Sequence, residues 1–473
     1  MSDFKFCPYC GKPLGPGMAF CPYCGKSLGA SKPAPAAPAP APMPAKKEPC
    51  TVSGDMLTSV DTTLTKIVVP SGVRIIGASA FRRSEALREV VLPEGLLEIF
   101  PNAFSRCTGL TRINLPSTLD KIGTEAFSQC TSLLEVNVGS KVETVGNKAF
   151  MGCTSLKEIH FEGRMTRIGD QAFSGCTSLT SVTLGEGLTS IPPTLFEGCT
   201  SLSSINLPST LKVISKNVFA KLPITAISLK GVEKIEEGAF KLCKSLSKVD
   251  LGSSSTLTWI GKEAFCGCVA LNSFTFPSSL TYIGDRAFAD SGLKSVSLGS
   301  DVTYIGNAFI GTQITSFSVP LKAANTARVG YCKNLRSLYL PSGMKTIPDL
   351  AYACNPSLTS ISIPSSVTSI GSGAFQQNTG LTSVTIPSGV TVLDMATFYQ
   401  CTNLRDAYVP KGVKTVAFDC FYSCPNLTIH YDGYRDDLFN SHGWFTAKHI
   451  GVRSIRCRDG EYDDEFVRSK FRK

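Results

Sequence analysis

A 23-residue repeat runs through most of this chain and constrains its fold more than any other feature. The repeat is marked by a phenylalanine, usually in an Ala-Phe pair, that recurs every 23 residues at Phe81, Phe104, Phe127, Phe150, Phe173, Phe196 and Phe219. The same place is taken, with some drift in spacing, by Phe240, Phe265, Phe288, Phe309, Val329, Tyr352, Phe375, Phe398 and Phe421, which makes sixteen units. A unit this short cannot bury its own apolar face and depends on its neighbours for a core. The chain is therefore predicted to be a solenoid that absorbs most of its 473 residues.

Each unit contains one segment typical of a strand and one typical of a compact turn. Apolar residues alternate around Ile113 and Leu115, so these side chains are predicted to point inward while Asn114 points outward. A proline or glycine then ends the strand, as Pro116 does here. The Ala-Phe segment is predicted to form a short helical turn on the other side, with its phenylalanine filling the core between coils.

The motif Ile-Gly-x-x-Ala-Phe-x-x-Cys-x-x-Leu, present from Ile168 to Leu179, resembles that of the BspA-like (Treponema pallidum type) leucine-rich repeat family. The resemblance covers about residues 51 to 457. It implies a right-handed β/α superhelix, mainly of short β-strands with helical turns, whose concave strand-lined face binds proteins or adheres to surfaces. We therefore expect a non-enzymatic protein-interaction scaffold, with a cell-surface adhesion protein as the alternative.

Two matched Cys-x-x-Cys-Gly turns stand at the N-terminus and supply Cys7, Cys10, Cys21 and Cys24. Four thiolates satisfy one tetrahedral zinc ion and leave no position open for water or substrate, so we expect one structural Zn²⁺. Two local disulfides or a redox pair are the alternative, but the strand-helix context of a thioredoxin-like motif is missing. The segment resembles the small zinc ribbons found in many bacterial proteins.

The domain organisation follows from these motifs and from composition. We predict a zinc ribbon at 1–30, a Pro/Ala-rich linker at 31–50 and the repeat array of about sixteen units at 51–430. A C-terminal cap at 431–460 and a mobile tail at 461–473 follow. The linker composition favours an extended polyproline II chain, and recognition of this segment by a proline-binding module is the alternative.

Ten of the nineteen cysteines occupy the third place after the repeated phenylalanine. They are Cys107, Cys130, Cys153, Cys176, Cys199, Cys243, Cys268, Cys332, Cys401 and Cys424. A thiol is small, apolar and a weak hydrogen-bond donor, so we predict that these residues belong to the core and satisfy backbone carbonyls. A metal or redox ladder is the alternative.

One outward position per strand forms a polar stripe and gives the candidate partner-binding residues. The stripe comprises Asn114, Asn137, His160, Thr183, Asn206, Ser228, Asp250, Thr275, Ser297, Ser318, Tyr339, Ser362, Thr385 and Tyr408. Small polar residues suit any solvated strand, so we select His160, Tyr339 and Tyr408 as candidates for contact with a protein. The irregular stretch from Leu321 to Val329 is predicted to form a kink or an exposed loop.

Charge and motifs argue against several other functions. Residues 1–50 carry six lysines and two acids, whereas residues 51–430 carry 32 basic and 27 acidic side chains. The near-neutral array lacks the clustered basic stripe that nucleic acid requires, so a zinc-ribbon nucleic-acid binder is the less favoured alternative. We find no catalytic motif and expect no small-molecule substrate, although sequence leaves open an enzyme whose site forms across repeats.

The expected location is the cytoplasm. The first residues lack the pattern of a secretory signal, which is a basic segment followed by an apolar run. No apolar run in the sequence approaches the length of a membrane helix. A tetrathiolate site and many unpaired thiols suit a reducing compartment. Because the resembled family is common at cell surfaces, export by a non-standard route is the alternative.

Overall fold

The computed structural model describes residues 5–28, 48–440, 452–463 and 465. The chain divides into two compact units, Met1–Glu48 and Pro49–Lys473. The first unit holds the paired cysteine turns and the second holds the repeat array.

Most coils of the array contribute two short strands to two different sheets. A strand of about three residues comes first, and a strand of two residues follows after a turn. Strands of successive coils pair in parallel and in register, as Ile113 pairs with Val136 and Ile99 pairs with Ile122. The 23-residue period therefore appears directly as the spacing between paired residues.

The strands in chain order are β1 (Cys50–Ser53), β2 (Met56–Val60), β3 (Lys66–Val68), β4 (Ile75–Ile76), β5 (Glu89–Val91), β6 (Glu98–Ile99), β7 (Arg112–Asn114), β8 (Lys121–Ile122), β9 (Glu135–Asn137), β10 (Thr144–Val145), β11 (Glu158–His160), β12 (Arg167–Ile168), β13 (Ser181–Thr183), β14 (Ser204–Asn206), β15 (Val213–Ile214), β16 (Ala226–Ser228), β17 (Lys234–Ile235), β18 (Lys248–Asp250), β19 (Trp259–Ile260), β20 (Tyr282–Ile283), β21 (Ser316–Ser318), β22 (Ser337–Tyr339), β23 (Thr346–Ile347), β24 (Ser369–Ile370), β25 (Ser383–Thr385), β26 (Val392–Leu393), β27 (Asp406–Val409), β28 (Thr415–Val416), β29 (Thr428–Tyr431), β30 (Ser454–Cys457) and β31 (Gly460–Asp463). The helical elements with described bounds are a 3₁₀ turn (Leu321–Ala323) and α1 (Arg435–Asn440).

The first sheet begins with β3, β5, β7, β9, β11, β13 and β14, and the second begins with β1, β2, β4, β6, β8, β10 and β12. The array has about 17 turns. This is one more than the sixteen units, because β2 pairs in parallel with β4 and forms part of a turn before the first Ala-Phe pair. Antiparallel pairs lie at both ends, where β1 pairs with β2 and β30 pairs with β31. The last strand extends three residues into the segment predicted to be a mobile tail.

The prediction of helical turns in the Ala-Phe segment is wrong. Asn102 and Arg106 take left-handed backbone angles, with φ of 59° and 63°, and these interrupt a right-handed helix on either side of Phe104. The Phe104 amide donates to the Ala126 carbonyl of the next coil at 2.7 Å, whereas the next amide, that of Ser105, donates within its own turn to Asn102. Successive amides therefore bond alternately to the next coil and to the same coil, which satisfies the backbone without a helix.

A column of stacked phenylalanine rings forms the centre of the core. From Phe81 to Phe309 each ring stacks on the next, with centroids 4.5 to 6.0 Å apart. These rings are buried. The column is interrupted at Val329 and resumes with Tyr352, Phe375, Phe398 and Phe421. The repeated phenylalanine is thus the residue that joins each coil to both neighbours.

The cysteines that follow this column are core residues, as predicted. All ten are buried, and each thiol donates a hydrogen bond to the carbonyl of a column residue in the preceding coil. The thiol of Cys176, for example, lies 3.1 Å from the Phe150 oxygen. Burial raises the pKa of the Cys153 thiol to about 12, so the neutral donor form is favoured. Asn355 and Asn378 replace this cysteine in two coils. Their side-chain amides donate to the equivalent carbonyls, those of Val329 and Tyr352.

Each sheet has a break in its inter-coil pairing within residues 189–228, which we call the seam, and further breaks follow later in the array. Pro192 stands where Gly146, in a regular coil, donates its amide hydrogen to Ile122 at 2.8 Å, and proline has no such hydrogen. Farther along, β14 and β16 belong to different sheets. The unit between Phe219 and Phe240, which contains β16, is only 21 residues long. Clefts of about 410 and 600 Å³ lie at these two breaks.

Candidate metal centre and candidate binding surface

The two cysteine turns at the N-terminus have the same local geometry. The Gly11 amide donates to the Cys7 carbonyl at 2.9 Å, and the Gly25 amide donates to the Cys21 carbonyl at the same distance. Both glycines have positive φ, 68° and 69°, which other residues adopt at a cost. The Cys-Gly sequence therefore closes a tight loop that holds the two sulfurs of each turn on one side.

The structure brings all four predicted sulfurs together. The Sγ atoms of Cys7 and Cys24 lie 3.7 Å apart, those of Cys10 and Cys21 lie 3.6 Å apart, and all four lie within 4.8 Å of one another. A tetrahedral zinc with bonds of about 2.3 Å requires sulfur-sulfur separations of about 3.8 Å. The donor set and its spacing therefore fit a single metal ion of the zinc type.

The pKa of the thiol differs from one cysteine of the sulfur cluster to the next. Burial raises the pKa of Cys21, but hydrogen bonds from the Tyr23 and Cys24 amides and from neighbouring sulfurs outweigh it, so the pKa falls to about 7. The Lys12 amide lowers the pKa of Cys10, yet burial and the three neighbouring thiols raise it to about 12. Four thiolates this close repel one another, and a bound cation removes that repulsion.

The third residue of each strand in the first sheet points outward, and we call this series the outer row. Between Asn114 and Asn206 several of these side chains bond one another. Asn137 donates to Asn114 at 2.7 Å, and the His160 ring lies 3.0 Å from the Thr183 hydroxyl. His160 also lies 3.6 Å from Glu158. This part of the row is largely satisfied within the protein, and His160 is half-buried.

The C-terminal half of the outer row exposes larger side chains. Tyr339 is 60% exposed and Tyr408 is 48% exposed. Three coils separate these tyrosines, or about 14 Å at the usual strand spacing, and eight coils separate Tyr339 from His160, or about 38 Å. The three candidate residues thus share a row but form no common pocket. The Thr275, Ser297 and Ser362 positions of the predicted stripe lie outside any strand.

A groove of about 450 Å³ lies beside the C-terminal end of the outer row. In register, Thr385 pairs with Tyr408, Tyr408 with His430, and His430 with Arg456. The Tyr408 and His430 rings stack with centroids 4.6 Å apart. Sequence analysis missed His430 and Arg456, because the spacing here changes from 23 to 22 and then to 26 residues.

Ion pairs fix the charged residues around this groove. His430 Nε2 lies 2.7 Å from the Asp406 carboxylate, and Arg458 donates to Asp432 at 2.6 Å. Arg456 donates to Glu461 at 2.7 Å, and this hydrogen bond lowers the pKa of Glu461. The carboxylate therefore stays ionised at neutral pH.

Comparison with protein families gives two matches. A model described as the BspA type leucine rich repeat region (6 copies) matches residues 59–176, 134–247, 214–328 and 325–428. A zinc-ribbon domain model matches residues 6–28, which include all four clustered cysteines. No curated protein matches the chain. Among the described residues, no helix is long and apolar enough to cross a membrane.

Several solved structures are similar to the chain. A leucine-rich repeat protein from Bacteroides ovatus is 25% identical over 85% of this chain and 97% of its own, with a TM-score of 0.47. A leucine rich cell surface protein from Faecalibacterium prausnitzii is 23% identical over 84% and 98%, with a TM-score of 0.37. The T. pallidum leucine-rich repeat protein is 31% identical over 35% and 82%, with a TM-score of 0.33.

Proposed function

Because this chain belongs to the BspA-type leucine-rich repeat family, we propose that it is a non-enzymatic scaffold that binds a protein partner through the outer row of its first sheet. The observation that carries the proposal is the exposure of Tyr339 and Tyr408 on strands whose neighbouring residues are buried. Leu338 and Ala407 lie in the core, so the sheet holds each tyrosine in place. Large aromatic side chains on a rigid surface are the type most often responsible for binding energy.

We also propose that Cys7, Cys10, Cys21 and Cys24 bind one structural zinc ion. The sulfur separations and the match to a zinc-ribbon domain support this role. With four sulfur ligands the ion has no open coordination position, so it stabilises the ribbon and performs no chemistry.

Replacing Tyr339 and Tyr408 together with alanine should weaken partner binding by at least about 10-fold and leave the array folded. Each substitution removes an exposed ring from the proposed contact surface without opening the core. Partners captured from the source cells by the full chain would be identified by mass spectrometry. The purified partner's affinity for each variant would then be measured by calorimetry.

The matched control is Tyr331→Ala combined with Phe418→Ala. These residues belong to the coils of Tyr339 and Tyr408 and are 57% and 53% exposed, but they lie in the Ala-Phe turns and not on the first sheet. The control should bind normally. Equal affinity of the outer-row variant and the parent, with an unchanged circular dichroism spectrum, would move the contact surface elsewhere.

We propose further that the protein works in a reducing compartment such as the cytoplasm. The ten buried thiols that follow the phenylalanine column, which we call the ladder thiols, support this location, and so do the four clustered sulfurs of the ribbon. Both arrangements require reduced sulfur. Adjacent coils are about 4.8 Å apart, close enough for neighbouring thiols to pair if an oxidant reached them. We expect cell fractionation to recover the protein in the cytoplasm and thiol titration under denaturing conditions to find the ladder reduced. Abundant protein on the cell surface, or a ladder recovered as disulfides, would contradict this proposal.

A further inference from the structure

The groove beside Tyr408 combines an aromatic wall with fixed polar groups, and the proposed protein contact does not use most of them. On one side of its ring Tyr408 stacks on His430. On the other side its neighbour in the row is Thr385, which is too small to cover a ring face. Tyr408 accordingly keeps almost half of its surface exposed. A flat apolar surface is therefore available within the groove.

The polar residues of the groove are held in place before any ligand arrives. Asp406 fixes the His430 ring, Glu461 fixes the Arg456 guanidinium, and Asp432 fixes Arg458. A site whose side chains are already ordered loses little conformational entropy when it binds a ligand. Each guanidinium has five N–H donors, so these pairings leave donors of Arg456 and Arg458 for a ligand.

Charge around the groove is balanced. The two guanidiniums face the carboxylates of Asp406, Asp432 and Glu461, so a strongly anionic or cationic ligand gains no net attraction. Closely spaced donors and acceptors instead match groups that both donate and accept, and the hydroxyl is the simplest of these.

The backbone of the groove is closed to an added strand. β27, β29 and β30 are interior strands of the five-stranded sheet β25-β27-β29-β30-β31, so their hydrogen-bonding edges are occupied on both sides. An extended peptide cannot pair here by adding to a sheet edge. A ligand has to bind through side chains.

From these observations we propose that the groove binds a neutral oligosaccharide, with one sugar ring packed on Tyr408 and the hydroxyls of a neighbouring ring, beyond His430, bonded to Arg456, Arg458 and Asp432. The apolar C–H face of a pyranose fits a flat aromatic ring, and its hydroxyls fit the alternating donors and acceptors. The volume of about 450 Å³ lies within the usual range for small-ligand sites. The saccharide site shares Tyr408 with the proposed protein contact, but it can be tested separately because no protein partner is needed to occupy it.

The test uses the full zinc-loaded chain and purified oligosaccharides, without any partner protein. An array of neutral, N-acetylated and uronic-acid trisaccharides would identify a binder, and calorimetry would give its affinity. We expect a neutral or N-acetylated sugar to bind. Tyr408→Ala should weaken that binding by at least about 10-fold, whereas Tyr408→Phe, which keeps the ring, should change it by less than about 3-fold.

Phe418→Ala is the matched control, since it removes an equally exposed aromatic ring of the same coil outside the groove. It should bind the sugar normally. Three results would overturn the proposal: no trisaccharide binds at millimolar concentration, Tyr408→Ala binds as well as the parent, or only uronic acids bind. Capture of a peptide that competes at the groove, with no sugar binding, would assign the groove to the protein contact instead.

Discussion

Replacing Cys10 and Cys24 with serine should abolish metal binding and unfold residues 6–28, while the repeat array keeps its structure. The ribbon has almost no core of its own. Phe6, Tyr9, Phe20 and Tyr23 are about 60% exposed, and among the described ribbon residues only Cys7 and Cys21 are buried. A structural zinc site contributes about 10–16 kcal/mol of apparent binding free energy at neutral pH, which here replaces the missing hydrophobic core.

Metal analysis of freshly purified, reduced protein should find one zinc per chain in the parent and none in the double variant. Proteolysis should cut the variant within the ribbon and leave the array intact, because the two form separate compact units. Cys50→Ser, which removes a half-buried thiol outside the ribbon, is the control and should keep its zinc. Parent protein without zinc, or a double variant that retains it, would show that the four sulfurs do not form the site.

Replacing Phe173 with alanine should destabilise the array by about 3–5 kcal/mol. The ring is fully buried and stacks on Phe150 and Phe196, with centroids 5.7 and 5.8 Å away. Its removal creates a cavity and also breaks the column that joins each coil to both neighbours. In a repeat array, removing such a ring destabilises both the unit that contains it and its interfaces with the neighbouring units.

Urea unfolding followed by circular dichroism would give the change in free energy, and native-state hydrogen exchange would locate it. Exchange should rise most in the three coils around Phe173. Phe418→Ala removes a ring that is 53% exposed and should cost no more than about 0.5 kcal/mol. A loss below about 1 kcal/mol for Phe173→Ala would mean that the column contributes little to the coupling of the coils.

The parts of the fold that the sequence predicts are those fixed by the repeat period. In any solenoid with a 23-residue period, residues n and n + 23 lie beside each other, so the column of Phe81 and its successors follows directly. The same reasoning places Cys107 and the other ladder thiols in the core. The four sulfurs of the ribbon are predictable for a different reason, because two copies of the same cysteine turn are expected to have the same local geometry.

Other features leave too little trace in the sequence. A two-residue strand such as Lys121–Ile122 is too short to show alternation, so the second sheet was not predicted. The helical turns were expected because residues such as Arg106 give no sign of a left-handed backbone. Only Gly152, Gly175, Gly198, Gly267 and Gly311, at the equivalent place in five coils, hint at it.

The 23-residue period also does not predict the groove at the end of the outer row. Tyr408 was selected, but the changed spacing concealed its neighbours His430 and Arg456. The C-terminal cap predicted at residues 431–460 lies partly outside the described residues, which end at Asn440 and resume at Val452.

The seam gives the array a mechanical property that a uniform solenoid lacks. Before it, coils are joined by parallel strand pairs in both sheets, whereas within it Pro192 removes a donor and β14 is not hydrogen-bonded to β16. Further breaks in the pairing follow after β18 and β22. Force applied between the two ends of the array is carried through every coil in series. The coils with the fewest cross-links stretch first, so the array behaves as stiff blocks joined by compliant segments, and tension would separate the blocks at the breaks in strand pairing, of which the seam is the first along the chain.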